Sequence, residues 1–197
     1  MNWELDFIRW LWEYGHFSII IDKIMLFLTI IGDGWWAFIW MGPLVIFFVI
    51  KRKFRPMGIA LAIGLLLFGI VGNNLLIKNI IARPRPIYSD SILLGYAQNF
   101  FTGNLVSFIP KPSSFSFMSG HTVSIFIFAT TISIFHRRLT PLLITFATLV
   151  SFSRIYFGFH YPTDVIAGLI YGILVSFLVV TISKKITSHF KEQKNAN

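Results

Sequence analysis

The chain has 197 residues, of which 55% are hydrophobic and 13% charged, and its mean hydropathy is +0.72. A soluble domain has an apolar share of about 45–50%, so the bilayer is the expected solvent. Cysteine is absent, which excludes disulfides, thiolate nucleophiles and cysteine-ligated metals.

In chain order, Trp3, Phe7, Trp10, Leu11 and Tyr14 recur at helical spacing and predict a short helix lying in the membrane interface. Glu4 and Asp6 stand where a signal peptide would be basic, so this helix is expected to stay in the mature protein. Next comes a weak span from His16 to Ile31, which carries Asp22 and Lys23 and needs partners or a tilt. Charge-free windows follow at 34–50, 57–77, 113–135, 139–153 and 165–183, several reaching the roughly 20 residues that cross hydrocarbon. The expected architecture is an all-α polytopic membrane protein with six transmembrane helices and an N-terminal interfacial helix, forming one domain over 1–197. Trp35, Trp36 and Trp40 fit an interfacial aromatic belt. Gly168 and Gly172 form a small-residue step suited to close helix contact, within one chain or between two. Oligomeric state stays open, and the polar end 191–197 is expected to fray.

The net charge is +9, but the basic residues sit between spans, which argues against a nucleic acid partner. Lys51, Arg52, Lys53 and Arg55 link two spans, Arg137 and Arg138 link two more, and Lys184, Lys185, Lys191 and Lys194 follow the last. The positive-inside rule makes these segments cytoplasmic. Both termini are then inside a plasma-membrane protein, with residues 83–119 and the turn 154–164 on the outer face.

Ionisable residues gathered at one membrane depth usually serve a site, and three groups converge on that face. The first reads KNIIARPRP from Lys78: Pro84 and Pro86 turn the chain extended and hold Arg83 and Arg85 on a stiff exit. Taken alone, Lys78 and Arg83 could equally snorkel to headgroups. The second is Ser119, Gly120 and His121 before an apolar helix, where a serine N-cap and unpaired amides make an anion site. A plain cap beside an interfacial histidine explains that segment as well. The third, SRIYFGFHYPTD from Ser153 to Asp164, lets Asp164 reach back to the His160 ring, fix its tautomer and leave the other nitrogen as a nucleophile. Its alternative is an aspartate that only complements the helix dipole. Together the groups supply three cations (Lys78, Arg85, Arg154), a helix N-terminus and two histidines, an inventory suited to phosphoryl transfer. Several positive charges around two histidines and one carboxylate make a poor divalent-cation site, so no metal or other cofactor is expected.

These residues resemble the three-part signature of the type 2 phosphatidic acid phosphatase superfamily, KxxxxxxRP, PSGH and SRxxxxxHxxxD. The first part is matched by Lys78, Arg85 and Pro86, the second by Ser119, Gly120 and His121, and the third by Ser153, Arg154, His160 and Asp164. Met118 stands where the family usually has proline, which loosens the loop but removes no proton-transferring group. The resemblance implies that His160 attacks phosphorus with Asp164 orienting it, and that His121 is the general acid and then the base. It also implies that Lys78, Arg85, Arg154, the Ser119 hydroxyl and the Gly120 backbone hold the phosphate. Implied substrates are undecaprenyl diphosphate, phosphatidylglycerophosphate or phosphatidate, with outward orientation favouring the first. A lipid phosphotransferase of the same superfamily is the runner-up. A transporter is disfavoured because the charges cluster at one interface and no repeat is visible. Residues 87–117, charged only at Asp90 and Lys111, read as an interfacial lid.

Overall fold

The structure is a computed structural model that describes residues 2–15 and 18–196. His16, the Trp35 side chain and the side chains of Lys191 and Lys194 lie outside what is described. All regular structure among the described residues is helical: α1 (Trp3–Trp10), α2 (Ile19–Ile31), α3 (Gly34–Ile50), α4 (Arg55–Ile63), α5 (Lys78–Ile81), α6 (Pro86–Ser89), α7 (Ser91–Phe100), α8 (Gly120–Phe135), α9 (Thr140–Tyr156) and α10 (Pro162–Ala196). A π-helical stretch, Gly64–Ile77, joins α4 to α5 into one long rod.

Among the described residues, three segments are long and apolar enough to cross a membrane: Arg52–Ser89, Arg137–Tyr156 and Pro162–Phe190. α2 and α3 together make a fourth, bent by 53°. The apolar window 113–135 is helical only from Gly120, and at 16 residues α8 is shorter than the other spans. The expected fraying of the end is not seen up to Ala196, where α10 is still helical.

α8 is the axis of the bundle, buried along most of its length from Thr122 to Ser133 and packed on α9 and α10. Gly168 and Gly172 answer the question left open by the sequence, because their small-residue step faces α8 within the chain. A β-carbon on Gly172 would meet Phe126 Cβ at 2.8 Å, and one on Gly168 would meet the Ser119 carbonyl at 3.2 Å. Large apolar side chains on α3, on the π-helical stretch and on α10, among them Phe38, Leu67 and Leu174, remain exposed. A soluble protein would bury these, whereas lipid solvates them.

α1 lies on the protein with Trp3, Phe7, Trp10 and Tyr14 exposed, as an interfacial helix requires. Leu11 departs from the expected face: it is buried with Ile8 and Trp12 in a cluster that includes Phe101, Phe157 and Phe159. Asp22, the costly charge of the second helix, accepts a 2.6 Å hydrogen bond from the Tyr156 hydroxyl. Trp40 is more than a belt residue, since its indole N–H donates to the Ile31 carbonyl across the α2–α3 bend.

Candidate active site

Ala82, at φ +50°, ends the long rod one turn after Lys78, and residues 82–85 carry no regular structure before Pro86 opens α6. The two prolines thereby aim Arg85 inward. Its guanidinium is buried, with Nε donating to Ser114 Oγ at 2.8 Å and Nη1 donating to the Phe159 carbonyl at 2.9 Å. Nη1 also lies 3.1 Å from His160 Nε2. A guanidinium only donates, so Nε2 is the accepting nitrogen and the ring proton sits on Nδ1. Nδ1 in turn faces Asp164 Oδ2 at 3.6 Å, just beyond hydrogen-bond length. Burial first, then the charges of Arg85, Lys78 and Arg154, lowers the His160 pKa well below its ordinary value. The ring is therefore neutral, with its Nε2 lone pair turned toward the Arg85 guanidinium.

Gly158, at φ +66°, makes the tight turn that returns His160 over the end of α9, and the His160 amide donates to the Arg154 carbonyl at 3.2 Å. Arg154 is buried, donates through Nη1 to Thr29 Oγ1 at 2.6 Å and lies over the Phe159 ring. His121, in the first turn of α8, has Nε2 3.5 Å from Asp33 Oδ1 at the α2–α3 bend. Gly32 permits that approach, because a β-carbon there would stand 3.2 Å from the His121 ring.

Lys78, Arg85, Gly120, His121, Arg154 and His160 line one cavity of about 790 Å³. Two predicted residues stand outside its wall. Asp164 sits behind His160, where the Tyr161 amide and Arg83 Nη1 donate to its carboxylate at 2.9 and 2.8 Å. Ser119 is fully buried, its Oγ accepts from the Thr122 amide as the cap of α8, and it is not among the residues that line the cavity.

Sequence reasoning missed the residues that hold this frame. Asn73 Nδ2 donates to the Met118 carbonyl at 3.4 Å and to Asn74 Oδ1 at 3.3 Å, bracing the loop in which methionine replaces the usual proline. Gly120 lets Asn74 come close, since a β-carbon would stand 2.8 Å from its Oδ1. An asparagine pair inside an apolar rod is costly in lipid and was the available signal. Asp33 and Thr29 gave none, and Arg83 was noticed without its partners, because those partners are far away in sequence.

The PAP2 superfamily sequence profile matches residues 55–188, which takes in every one of these motifs. The chain belongs to the PAP2 superfamily. Its site is that of a membrane lipid phosphatase. Among curated relatives, an undecaprenyl-diphosphatase of Sulfolobus acidocaldarius is 31% identical over 163 residues, 82% of this chain and 70% of that protein. Undecaprenyl-diphosphatase BcrC of Bacillus subtilis is 27% identical over 93% of this chain and 84% of its own length. Among solved structures, Aquifex aeolicus LpxE has a TM-score of 0.59 at 24% identity, covering 92% of this chain and 96% of that one. The PAP2-type phosphatidylglycerolphosphate phosphatase of Bacillus subtilis has a TM-score of 0.61 at 24% identity, covering 93% and 85%. At that identity the two structures establish the fold alone.

Proposed function

We propose that this PAP2 phosphatase hydrolyses undecaprenyl diphosphate to the monophosphate through a phosphohistidine on His160, without a metal ion, at the extracytoplasmic face of the membrane. The carrying observation is the shape and lining of the cavity. Its cationic end holds Lys78, Arg85 and Arg154, and it continues between α3 and the long rod along Phe38, Met41, Val45, Leu66 and Ile70. A phosphoryl group fits one end and an apolar chain the other. The names of the two undecaprenyl-diphosphatase relatives favour a polyprenyl diphosphate among such lipids.

In this reading His160 Nε2 attacks the terminal phosphorus and the bond to the bridging oxygen breaks. The departing lipid phosphate takes a proton from His121. His121 then removes a proton from water, which attacks the phosphohistidine and releases inorganic phosphate. The three cations neutralise the phosphoryl oxygens throughout, the task a metal ion performs in other phosphotransfer enzymes. Orientation rests on the basic segments. Phe54 meets the His136 ring and Lys184 lies over Phe135, so all three gather at the end of α8 opposite His121. Six spans with both termini cytoplasmic follow if α2, α3 and α8 each cross.

The test is phosphate release by purified protein from undecaprenyl diphosphate, phosphatidylglycerophosphate and phosphatidate, with and without EDTA. The expected result is the highest kcat/KM on the diphosphate, no effect of chelation, and one phosphate freed per lipid converted. Preference for another lipid overturns the substrate, loss on chelation overturns the metal-free chemistry, and phosphate appearing on an acceptor lipid makes the protein a phosphotransferase.

A further inference from the structure

The catalytic carboxylate is held by a chain of contacts that the phosphatase motifs do not contain. Arg83, which the motif spacing passes over in favour of Arg85, spans two acids: Nη1 donates to Asp164 Oδ1 at 2.8 Å, and Nη2 donates to Glu4 Oε2 at 2.6 Å. Its guanidinium also stacks 3.7 Å from the centre of the Tyr161 ring. Glu4 is buried, and its other oxygen accepts from the Thr163 amide at 3.0 Å and the Thr163 hydroxyl at 2.8 Å. Burial pushes the Glu4 carboxyl up, but the hydrogen bonds from Thr163 and Arg83 outweigh it and leave the pKa lowered, so Glu4 is an anion.

We infer that Glu4 and Arg83 are positioning residues for the reaction, fixing the Asp164 carboxylate that faces His160 and so making the interfacial helix α1 part of the active site. The inference rests on the proposed role of His160 as nucleophile. A lone carboxylate behind an imidazole can rotate. Here one oxygen is claimed by Arg83, leaving the oxygen that faces Nδ1 to the Tyr161 amide and the ring. Arg83 cannot set that rotamer unless it is itself fixed, and Glu4, 79 residues away in sequence, fixes it together with the Thr163 hydroxyl, which accepts from Nη1 at 2.8 Å and itself donates to Glu4.

α1 is anchored independently of Glu4. Arg9 pairs with Asp90 at the head of α7, and Ile8 and Trp12 lie against the Gly158 turn that carries His160. Trp3, Phe7 and Trp10 on the opposite face of α1, and Tyr14 one turn beyond it, are exposed, as contact with the bilayer interface requires. The helix that rests on the membrane is thereby hydrogen-bonded, through one arginine, to the residue that orients the nucleophile. Glu4→Gln keeps the size of the side chain but sets an amide against the guanidinium. Arg83→Gln removes the fork that joins the two acids.

The experiment measures kcat, KM and thermal unfolding in detergent for Glu4→Gln, Arg83→Gln, the double variant and His160→Ala, with undecaprenyl diphosphate as substrate. The expected result for each of the first two is a kcat lower by about 10- to 100-fold, the size seen when the support of a catalytic group is loosened. KM should be little changed, and the double variant should be no worse than the poorer single one, as two links of one chain require. A fold defect would lower the unfolding temperature without selecting kcat. Should Arg83→Gln not purify folded, Glu4→Gln decides alone. An unchanged kcat in Glu4→Gln overturns the inference while inactivity of His160→Ala leaves the phosphohistidine reading standing. A raised KM with normal kcat in Arg83→Gln also overturns it, because Arg83 would then bind phosphate directly. An active His160→Ala removes the nucleophile on which both depend.

Discussion

Replacing Arg85 with lysine separates charge from geometry at the centre of the site. The guanidinium spends Nε on Ser114 Oγ and Nη1 on the Phe159 carbonyl and the His160 ring, while Nη2 has no hydrogen-bond partner among the described residues, and Arg85 lines the cavity. A planar fork makes these contacts and still presents a donor to a phosphoryl oxygen. An ammonium carries the same charge on one point and cannot span Ser114, Phe159 and the phosphate together. Losing one preorganised donor to developing negative charge costs about 10²- to 10³-fold in rate, on the order of 3–4 kcal/mol. Arg85→Lys should therefore lose about that factor in kcat/KM although net charge is conserved. The assay is initial-rate phosphate release across substrate concentrations, alongside thermal unfolding to exclude a folding defect. A folded Arg85→Lys variant with kcat/KM close to the parent would refute the geometric role and leave Arg85 as a counter-charge only.

The remaining expectations concern pH and packing. Because His160 is held neutral by burial and by the cations around it, protonation inactivates it only far on the acid side. The acid limb of the kcat/KM profile, which reports the free enzyme, should lie well below pH 6.5, and a limb at 6.5 or above would contradict the buried cationic setting. Gly58→Ala would place a β-carbon 2.4 Å from Val49 N and 2.6 Å from Phe48 C, so the α3–α4 hairpin must open. Overpacking against backbone costs about 1–3 kcal/mol, which should appear as a lower unfolding temperature in detergent. Unfolding at the parent temperature would show that this hairpin is looser than described.

The chemistry was legible in the sequence because it is written in short, ordered segments. A lysine seven residues before Arg85 lies one turn before its helix ends at a proline-stiffened exit, and a histidine four residues before Asp164 lies just ahead of a helix. Both relations are local. The interfacial helix was legible from its aromatic spacing, yet Leu11 was placed on the wrong face, since a stripe of apolar residues does not say which edge meets protein and which meets lipid. Ser119 was read both as a cap and as a phosphate ligand, and its Oγ does accept from the Thr122 amide at the head of α8. The supports of the site were illegible for a different reason. Glu4 on Arg83, Asp33 on His121 and Thr29 on Arg154 join residues 79 to 125 positions apart, and no local pattern encodes such pairs. The spans were read from apolar runs, which register length but miss the breaks at Gly32 and Ala82 where the site is built.

The central claim is that His160 carries the phosphoryl group. It is tested most directly by single turnover of terminally labelled undecaprenyl diphosphate with the His121→Ala variant, in which water activation is disabled while a phosphate leaving group can still depart. The account predicts label retained on the protein, labile to acid and stable to alkali, and mapping to the peptide that contains His160. Label on any other residue, or none on a variant that still converts one lipid per site, would contradict it.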